Sequence, residues 1–519
     1  MMRSRLQAGL ALVLVVAVAV AALLVARGSG SGDLPTLAPA SGRSAFTARI
    51  QDRTVGQPIR SGFLGLSIEF QAVRAYTGAN PRRINPVLVQ LIRNISPHQA
   101  PVLRIGGDST DVSFAPTAGI TPRSYLTYKL TPSWLASTAA LAHELGARMI
   151  MGLNLGANQP ALAAAEARDY VKAFGSAAIY AFEIGNEPNV YDKIDIYRTP
   201  QGVPLAARPS GYGYPAFLRE FRAVAAASGA RTLAGPALAT GPTPAPGSWV
   251  KAMPNFLQRE SRVQIMTVHR YPLRNCFVPP SSPQYPTVPH LLASYSTVGL
   301  AASLHRWIQI AHAHHRLLRV DELNSVACRG KPGVSDTFAS SLWVVDALFQ
   351  LARAGVDGVN MHTLPRSTYE LFQFGRSGGR WHSGVKPVYY GLQLFAQAAP
   401  PGSRLLHVAG VKSSTDVSVW ATRAPDGRIR AVLVNESLSR TRTVTVRPPG
   451  GTSAGATIEW MQARSVDSRR GVTLGGRTYG ARTYTGTLAP ARLKLLTDQA
   501  GSYKISVRHG SAALITFGG

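Results

Sequence analysis

A (β/α)8 barrel followed by an antiparallel β-sandwich is the architecture this sequence predicts. Three observations carry the prediction. Eight short β-rich apolar runs alternate with helical stretches, and helical periodicity gives way to alternating strands near Pro401. No Gly-x-Gly-x-x-Gly turn follows a first strand, so nothing favours an open doubly wound sheet over a closed barrel.

The eight runs are Phe63 to Phe70, Pro101 to Ile105, Arg148 to Leu153, Ile179 to Ile184, Arg231 to Gly235, Val263 to His269, Leu317 to Glu322 and Val356 to His362. Between them lie the amphipathic or Ala/Leu-rich stretches Asn85 to Asn94, Thr131 to Leu145, Asn158 to Phe174, Pro215 to Ala227, Val288 to Ala311 and Asp336 to Ala354. Eight such units over roughly 340 residues fit a barrel across 63–400. The second domain, 401–519, offers Asp416 to Ala421, Arg428 to Asn435, Arg442 to Val446, Ala456 to Gln462, Ala491 to Leu496 and Tyr503 to Phe517 as strands. Gly, Pro, Asp and Ser separate them, as in a sandwich of about 120 residues. Ahead of the barrel, in 44–62, Ser44 to Ile50 and Gln57 to Ser61 read as further strands able to pair with that domain. No repeat of solenoid or propeller period is visible.

With 519 residues, 45% hydrophobic and 16% charged, the chain has the content of an ordinary globular protein with room for two or three domains. Its net charge of +29 is spread along the sequence, mostly as arginine, and forms no basic arm. Nucleic acid is therefore not an expected partner, whereas steering of an anionic polysaccharide fits the same charge, as does a plain arginine-rich composition. Met1-Met2-Arg3-Ser4-Arg5 followed by apolar Ala8 to Ala26 reads as an export segment over 1–27, either a signal peptide or a signal anchor. The Gly-, Ser-, Pro- and Ala-rich 28–43 reads as a flexible linker. Both alternatives, secreted or membrane-anchored, put the catalytic part outside the cytoplasm, with membrane contact only through the uncleaved segment. Cys276 and Cys328 are the right count for one disulfide in an oxidising compartment. The spacing of Cys and His suits no metal site; His312, His314 and His315 read as a solvated helix face.

A barrel of this type carries its active site at the C-terminal ends of its strands. Those ends supply Glu69, Asp108, Asn154, Asn186 and Glu187, His269 and Tyr271, Glu322 and Asn324, and Asn360 and His362. Polar side chains after apolar runs are costly to bury unless paired, so a converging ring of them makes a sugar-sized polar pocket. Glu187 closes strand four and Glu322 closes strand seven, on opposite sides of the mouth. Two facing carboxylates are the minimum equipment for hydrolysing a glycosidic bond, about 5 to 5.5 Å apart when the anomeric configuration is retained. Glu187 is assigned as acid/base and Glu322 as nucleophile. Tyr271 orients and ionises Glu322, His269 tunes the same network, and Asn186 bonds a sugar 2-OH. Asn154 falls among the residues expected to bind substrate. Glu69 and Asp108 suit either substrate binding or helix capping. Glu183 and Asp321, on the neighbouring pleats, read as structural ion-pair partners. A disulfide between the loops after strands six and seven would brace the pocket wall.

Glu183-Ile184-Gly185-Asn186-Glu187-Pro188-Asn189 together with Asp321-Glu322-Leu323-Asn324-Ser325-Val326 resembles glycoside hydrolase family 79, the β-glucuronidase and heparanase-like group. Leu103 to Asp108 and His269 to Pro272 resemble its strand-two and strand-six motifs. The resemblance spans Phe63 to Ala398 through these motifs. It implies a retaining hydrolase that releases glucuronate or 4-O-methylglucuronate without a cofactor. It also implies that Glu69 and Asp108 hold sugar hydroxyls and that Tyr369 contacts the sugar carboxylate. The chain departs from the family after the nucleophile. Where a Tyr followed by glycines is usual it has Ala327-Cys328-Arg329-Gly330, and Arg329 or the backbone near Gly330 is the expected replacement. Alternatives on the same fold are a neutral-sugar β-glycosidase, an endo-acting heparanase-like hydrolase, and a silent surface glycan-binding protein.

Overall fold

The structure, a computed structural model, describes residues 45–242, 248–411, 416–451 and 455–518. The predicted export segment 1–27 and linker 28–43 lie outside the described residues. Eight parallel strands form a closed barrel. In chain order they are Leu64–Glu69, Val102–Gly106, Arg148–Leu153, Ile179–Ile184, Leu233–Ala239, Val263–His269, Leu317–Leu323 and Gly358–Thr363, called strands one to eight below. Closure comes where strand eight pairs with strand one, Val359 opposite Leu64.

Inside the barrel the two-residue pleat stacks side chains in layers. Near the N-terminal end Val102, Ile150, Ala181, Ala234 and Ile265 form a small apolar layer. Two residues further along their strands Arg104 and Glu183 point into the same space and meet there. The layer below the mouth is therefore ionic, and the chemistry above it rests on buried charge.

Helix boundaries follow local capping. Asn85 accepts from Val87 N and Leu88 N to start Pro86–Ile95, and Thr131 accepts from Trp134 N to start Pro132–Leu145, which stops at left-handed Gly146. Pro160–Phe174, Tyr214–Ser228 and Phe338–Ala354 occupy the other expected stretches. Three expectations in and ahead of the barrel need correction. The single helix expected over Val288 to Ala311 is broken into Val288–Leu291, Val298–Ala302 and His305–Ala313, because Ser296 O is taken by the Trp343 indole N–H and the chain turns there. Strand five runs on past Gly235 through a bulge at Pro236-Ala237, a proline that on sequence alone argues against a strand. Gln57 to Ser61 forms no strand.

The C-terminal residues build one ten-stranded hydrogen-bonded sheet that also takes in Ala45–Val55. That strand lies between Arg404–Ala409, antiparallel to it, and Arg442–Arg447, parallel to it, so the sheet is antiparallel except at this one pair. The expected strand Tyr503 to Phe517 is two, Tyr503–Val507 and Ser511–Phe517, on different neighbours. Alternation splits the sheet faces cleanly. Val419, Ala421, Ala431, Leu433, Ala513 and Ile515 fill the domain's own core. Trp420, Val432, Val434, Ala512 and Leu514 join the large core shared with the barrel helices.

Candidate active site

Strand four ends at Ile184, and the turn Gly185-Asn186-Glu187 carries the Glu187 carboxyl over the mouth. Glu187 sits in the left-handed region at φ 51°, a costly conformation for a non-glycine residue, held by its N–H donating 2.9 Å to Ala237 O in the strand-five bulge. Its Oε1 lies 2.9 Å from His269 Nδ1. Strand seven brings Glu322 to the same place, where Tyr271 donates 2.8 Å to Oε1 and Arg104 Nη1 donates 2.9 Å to Oε2. Carboxylate oxygens of Glu187 and Glu322 come within 4.8 Å of each other.

Arg104 is the hub. With its side chain fully buried it donates to Glu183 Oε2 at 2.6 Å, Asn186 Oδ1 at 2.9 Å and Ser67 Oγ at 3.1 Å, besides Glu322. Its Nη2 is 3.2 Å from His269 Nε2, and Asp321 Oδ2 is 3.4 Å from its Nε. A buried charge persists only when paired on several sides. Burial and the facing Glu183 charge push the Asp321 carboxyl well up. Glu183 is itself pushed up by burial but held below the ordinary range by Arg104. Neither Asp321 oxygen accepts a hydrogen bond from a nitrogen or hydroxyl donor among the described residues. One guanidinium thus gathers three carboxyl groups, Glu183, Asp321 and Glu322.

Burial would also raise Glu322, but His362, His269, Arg104 and the Tyr271 hydrogen bond outweigh it and hold this carboxyl far below the usual range. It is ionised at any working pH. His362 Nδ1 is 3.7 Å from Glu322 Oε2, and its Nε2 is 3.6 Å from Glu69 Oε1. Burial works against its protonation, yet Glu322 and Glu69 raise its pKa. Glu187, Glu322 and His269 also form a set of metal-ligating type. The Arg104 guanidinium already supplies positive charge there, which disfavours a cation.

Glu69 takes the capping role. Its Oε2 accepts from Ser109 N at 2.9 Å and from the Ser109 hydroxyl, capping the short helix Ser109–Val112, while Oε1 faces His362. Gly107 follows with φ 89°, where any β-carbon would strike the Glu69 carboxylate. Asp108 is solvent-exposed at the mouth and accepts 3.1 Å from Asn186 Nδ2. Desolvation by the surrounding wall, and then Glu69, Glu187 and Glu322, push its carboxyl up. Exposure to solvent tempers both causes, relieving the desolvation and screening the three neighbouring carboxylates. Tyr369 is buried with its ring 6.2 Å from that of Tyr271 and 5.8 Å from that of His362. The loop after strand seven reaches it: Thr368 N donates 2.8 Å to Arg329 O, and Gly330 packs against Tyr369 N. Arg329 is exposed, and its side chain enters none of the hydrogen bonds around Glu322. Cys276 and Cys328 are joined in a disulfide with Cα atoms 6.1 Å apart.

Asn154 is a correction. It is buried, its Nδ2 donates to Asp111 O at 2.9 Å and Ser113 O at 2.7 Å, and its Oδ1 accepts from Ala157 N at 2.8 Å. It ties loops together and presents nothing to a substrate. The residue that organises this region went unread in the sequence. Asp111 accepts from Tyr191 OH at 2.6 Å, Asn186 N at 3.1 Å and Gly156 N at 2.8 Å, and so sets the turn that carries Glu187. Arg104 was also unread as a site residue, although an arginine flanked by apolar residues in a barrel strand is its own signal.

Facing carboxylates at the C-terminal mouth of a (β/α)8 barrel, with a β-domain behind it, define the chain as a glycosidase. Its relatives narrow the class. No family model matches the sequence. It is similar to a β-glucuronidase of Neurospora crassa, 23% identical over 541 residues, which cover 90% of this chain and 93% of the fungal enzyme. A β-glucuronidase of Aspergillus niger is 23% identical over 513 residues, 88% of this chain and 91% of that one. Among solved structures, a 4-O-α-L-rhamnosyl-β-D-glucuronidase from Fusarium oxysporum superposes with TM-score 0.70 at 18% identity, covering 91% of this chain and 100% of that one. A GH51 arabinofuranosidase from Xanthomonas axonopodis reaches 0.64 at 15% identity, with coverage of 91% and 99%. These two structural likenesses establish the shared fold.

Proposed function

We propose that the chain is a retaining β-glucuronidase acting by double displacement. The carrying observation is the approach of Glu187 and Glu322 oxygens to within 4.8 Å, with Glu322 held ionised. That spacing leaves no room for a water between acid and base, which an inverting enzyme needs, and suits direct attack at about 5 to 5.5 Å. Glu322 attacks the anomeric carbon while Glu187 gives its proton to the departing glycosidic oxygen, leaving a glycosyl ester on Glu322 and a free alcohol. Glu187, now ionised, takes a proton from the water that attacks the same carbon. The ester bond breaks, glucuronate leaves with its β-configuration, and both carboxyls return to their starting states.

Tyr271 and Arg104 aim Glu322, and His269 aims Glu187. Asn186 and Asp108 receive sugar hydroxyls, with Glu69 Oε1 beside them. Tyr369 and the Arg329-Gly330 loop form the wall toward the sugar carboxylate. The glucuronate assignment draws on the fungal relatives' names and on the net charge of +29, which attracts an acidic substrate. The disulfide and the export segment favour an extracytoplasmic site of action.

The test pairs aryl β-glucuronides with aryl β-glucosides. Glucuronide turnover should exceed glucoside turnover, Glu187→Gln should lose about 10²- to 10⁴-fold, and Glu322→Gln should lose more. Proton NMR of the first product should show the β-anomer. Preference for the glucoside would defeat the sugar assignment, first release of the α-anomer the retaining mechanism, and unchanged turnover in both variants the site itself.

A further inference from the structure

At the barrel end away from the carboxylates, the starts of several strands surround a cavity of about 270 Å³. Arg60, Arg148, Tyr180, Arg319 and Asp357 carry its polar lining. Arg319 points inward from strand seven, two residues before Asp321, and is 5% exposed. Its guanidinium donates to the Asn360 side-chain carbonyl and, at 2.8 Å, to Gly62 O, both neutral acceptors. It forms no ion pair among the described residues. Strand eight makes room for it with Gly358, where any β-carbon would collide with the Arg319 guanidinium.

Arg148 lies across the cavity with its guanidinium 4.4 Å from the Tyr180 ring centroid. Its Nη2 donates 3.0 Å to Ser61 O, while its Nε is buried with no hydrogen-bond partner. Arg60 is 4.0 Å from Asp357 Oδ1, the cavity's single carboxylate. That carboxylate is already engaged through Oδ2 by His312 Nε2 at 2.8 Å and Leu318 N at 2.9 Å. Three guanidinium groups therefore face one carboxylate with other commitments. Burial first, with the repulsion of Arg148, brings the Arg319 pKa down to about 10 against the opposing pull of Tyr180, Asp321 and Asp357. A buried cation without an anionic partner is the costly half of an ion pair, and planar N–H forks match the oxygens of a tetrahedral anion.

We propose that this cavity is an oxyanion-binding site in which Arg60, Arg148 and Arg319 hold a phosphate or sulfate ion. The ion joins the segment before strand one to strands three and seven and so braces the closed end of the barrel. It touches neither Glu187 nor Glu322.

The probe is inorganic phosphate, titrated calorimetrically and by thermal unfolding into the full chain, with sulfate and acetate as parallel arms and chloride at matched ionic strength as the control. One saturable site with a rising Tm is expected for phosphate or sulfate. Arg60→Gln, whose side chain is 53% exposed and so removable without disturbing the core, should weaken binding by about ten-fold or more. Arg148→Gln should do the same, and Arg259→Gln, an exposed arginine elsewhere, should not. Turnover of an aryl glucuronide should be unaltered in Arg60→Gln. Equal stabilisation by chloride, preference for acetate over both tetrahedral ions, or wild-type affinity in both lining variants would overturn the proposal.

Discussion

At the scale of single residues the protein spends buried charge to fix one carboxylate in its ionised form. His362 is the titratable cation of that arrangement. Its pKa is raised in the folded chain, so its contribution to stability is complete below the unfolded value of about 6.5 and fades as pH rises through the folded value. Glu322 works in the opposite sense. Its pKa is lowered, so its contribution is complete above the ordinary carboxylate range and disappears only in strong acid. Urea midpoints of the chain and of His362→Gln should therefore differ most in mild acid and draw together as pH rises; a difference independent of pH would contradict the pairing. Glu187, Glu322 and Tyr271 were legible as candidates because strand ends and local motifs are written in the sequence. Asn154 sat at an equally good strand end, yet its partners Asp111 and Ser113 come from another loop, and nothing local announces them. Arg104 was hidden for the same reason: its partners come from strands one, four, six and seven.

Among elements, the loops after strands six and seven form the pocket wall, and their geometry is held from outside. Cys328 and Arg329 both lie in the left-handed region, at φ 61° and 70°, beside the bond to Cys276. The two cysteines are 52 residues apart, and closing a loop of that length in the unfolded chain stabilises the fold by about 4 kcal/mol in the chain-entropy account. Cys276→Ser with Cys328→Ser should accordingly lower Tm by several degrees and weaken glucuronide turnover mainly through KM. Unaltered Tm and KM would mean that the loops hold themselves. The elements that sequence periodicity missed share a cause. The break near Ser296 and the reversal between Val507 and Ser511 are imposed by neighbours in space against a local pattern that reads as continuous, and strand five runs on through Pro236 against a local pattern that reads as broken.

For the whole molecule, one apolar core runs from the barrel helices into the C-terminal sheet, so the two behave as a single folding unit. Trp420 is the clearest tie: its ring stacks on Phe349 at 5.3 Å between centroids, and its indole donates 2.8 Å to Asp346 Oδ1. Trp420→Ala should cost about 3 to 5 kcal/mol and lower the one unfolding transition seen by both fluorescence and circular dichroism. Two separated transitions in the unsubstituted chain would show independent domains. The fold class was readable because eight strand–helix alternations and a switch to period two are local signals. The place of Ala45–Val55 in the sheet was not, since its paired neighbours lie 350 residues or more away in Arg404–Ala409 and Arg442–Arg447. That inserted strand has a consequence for how the molecule is made. The segment ahead of the barrel must wait, unpaired, until the complete barrel has been translated before its neighbours exist. Closing so long a loop is entropically slow. Assembly of the sheet is therefore a late act of folding, and the unpaired strand must be kept from wrong partners until then.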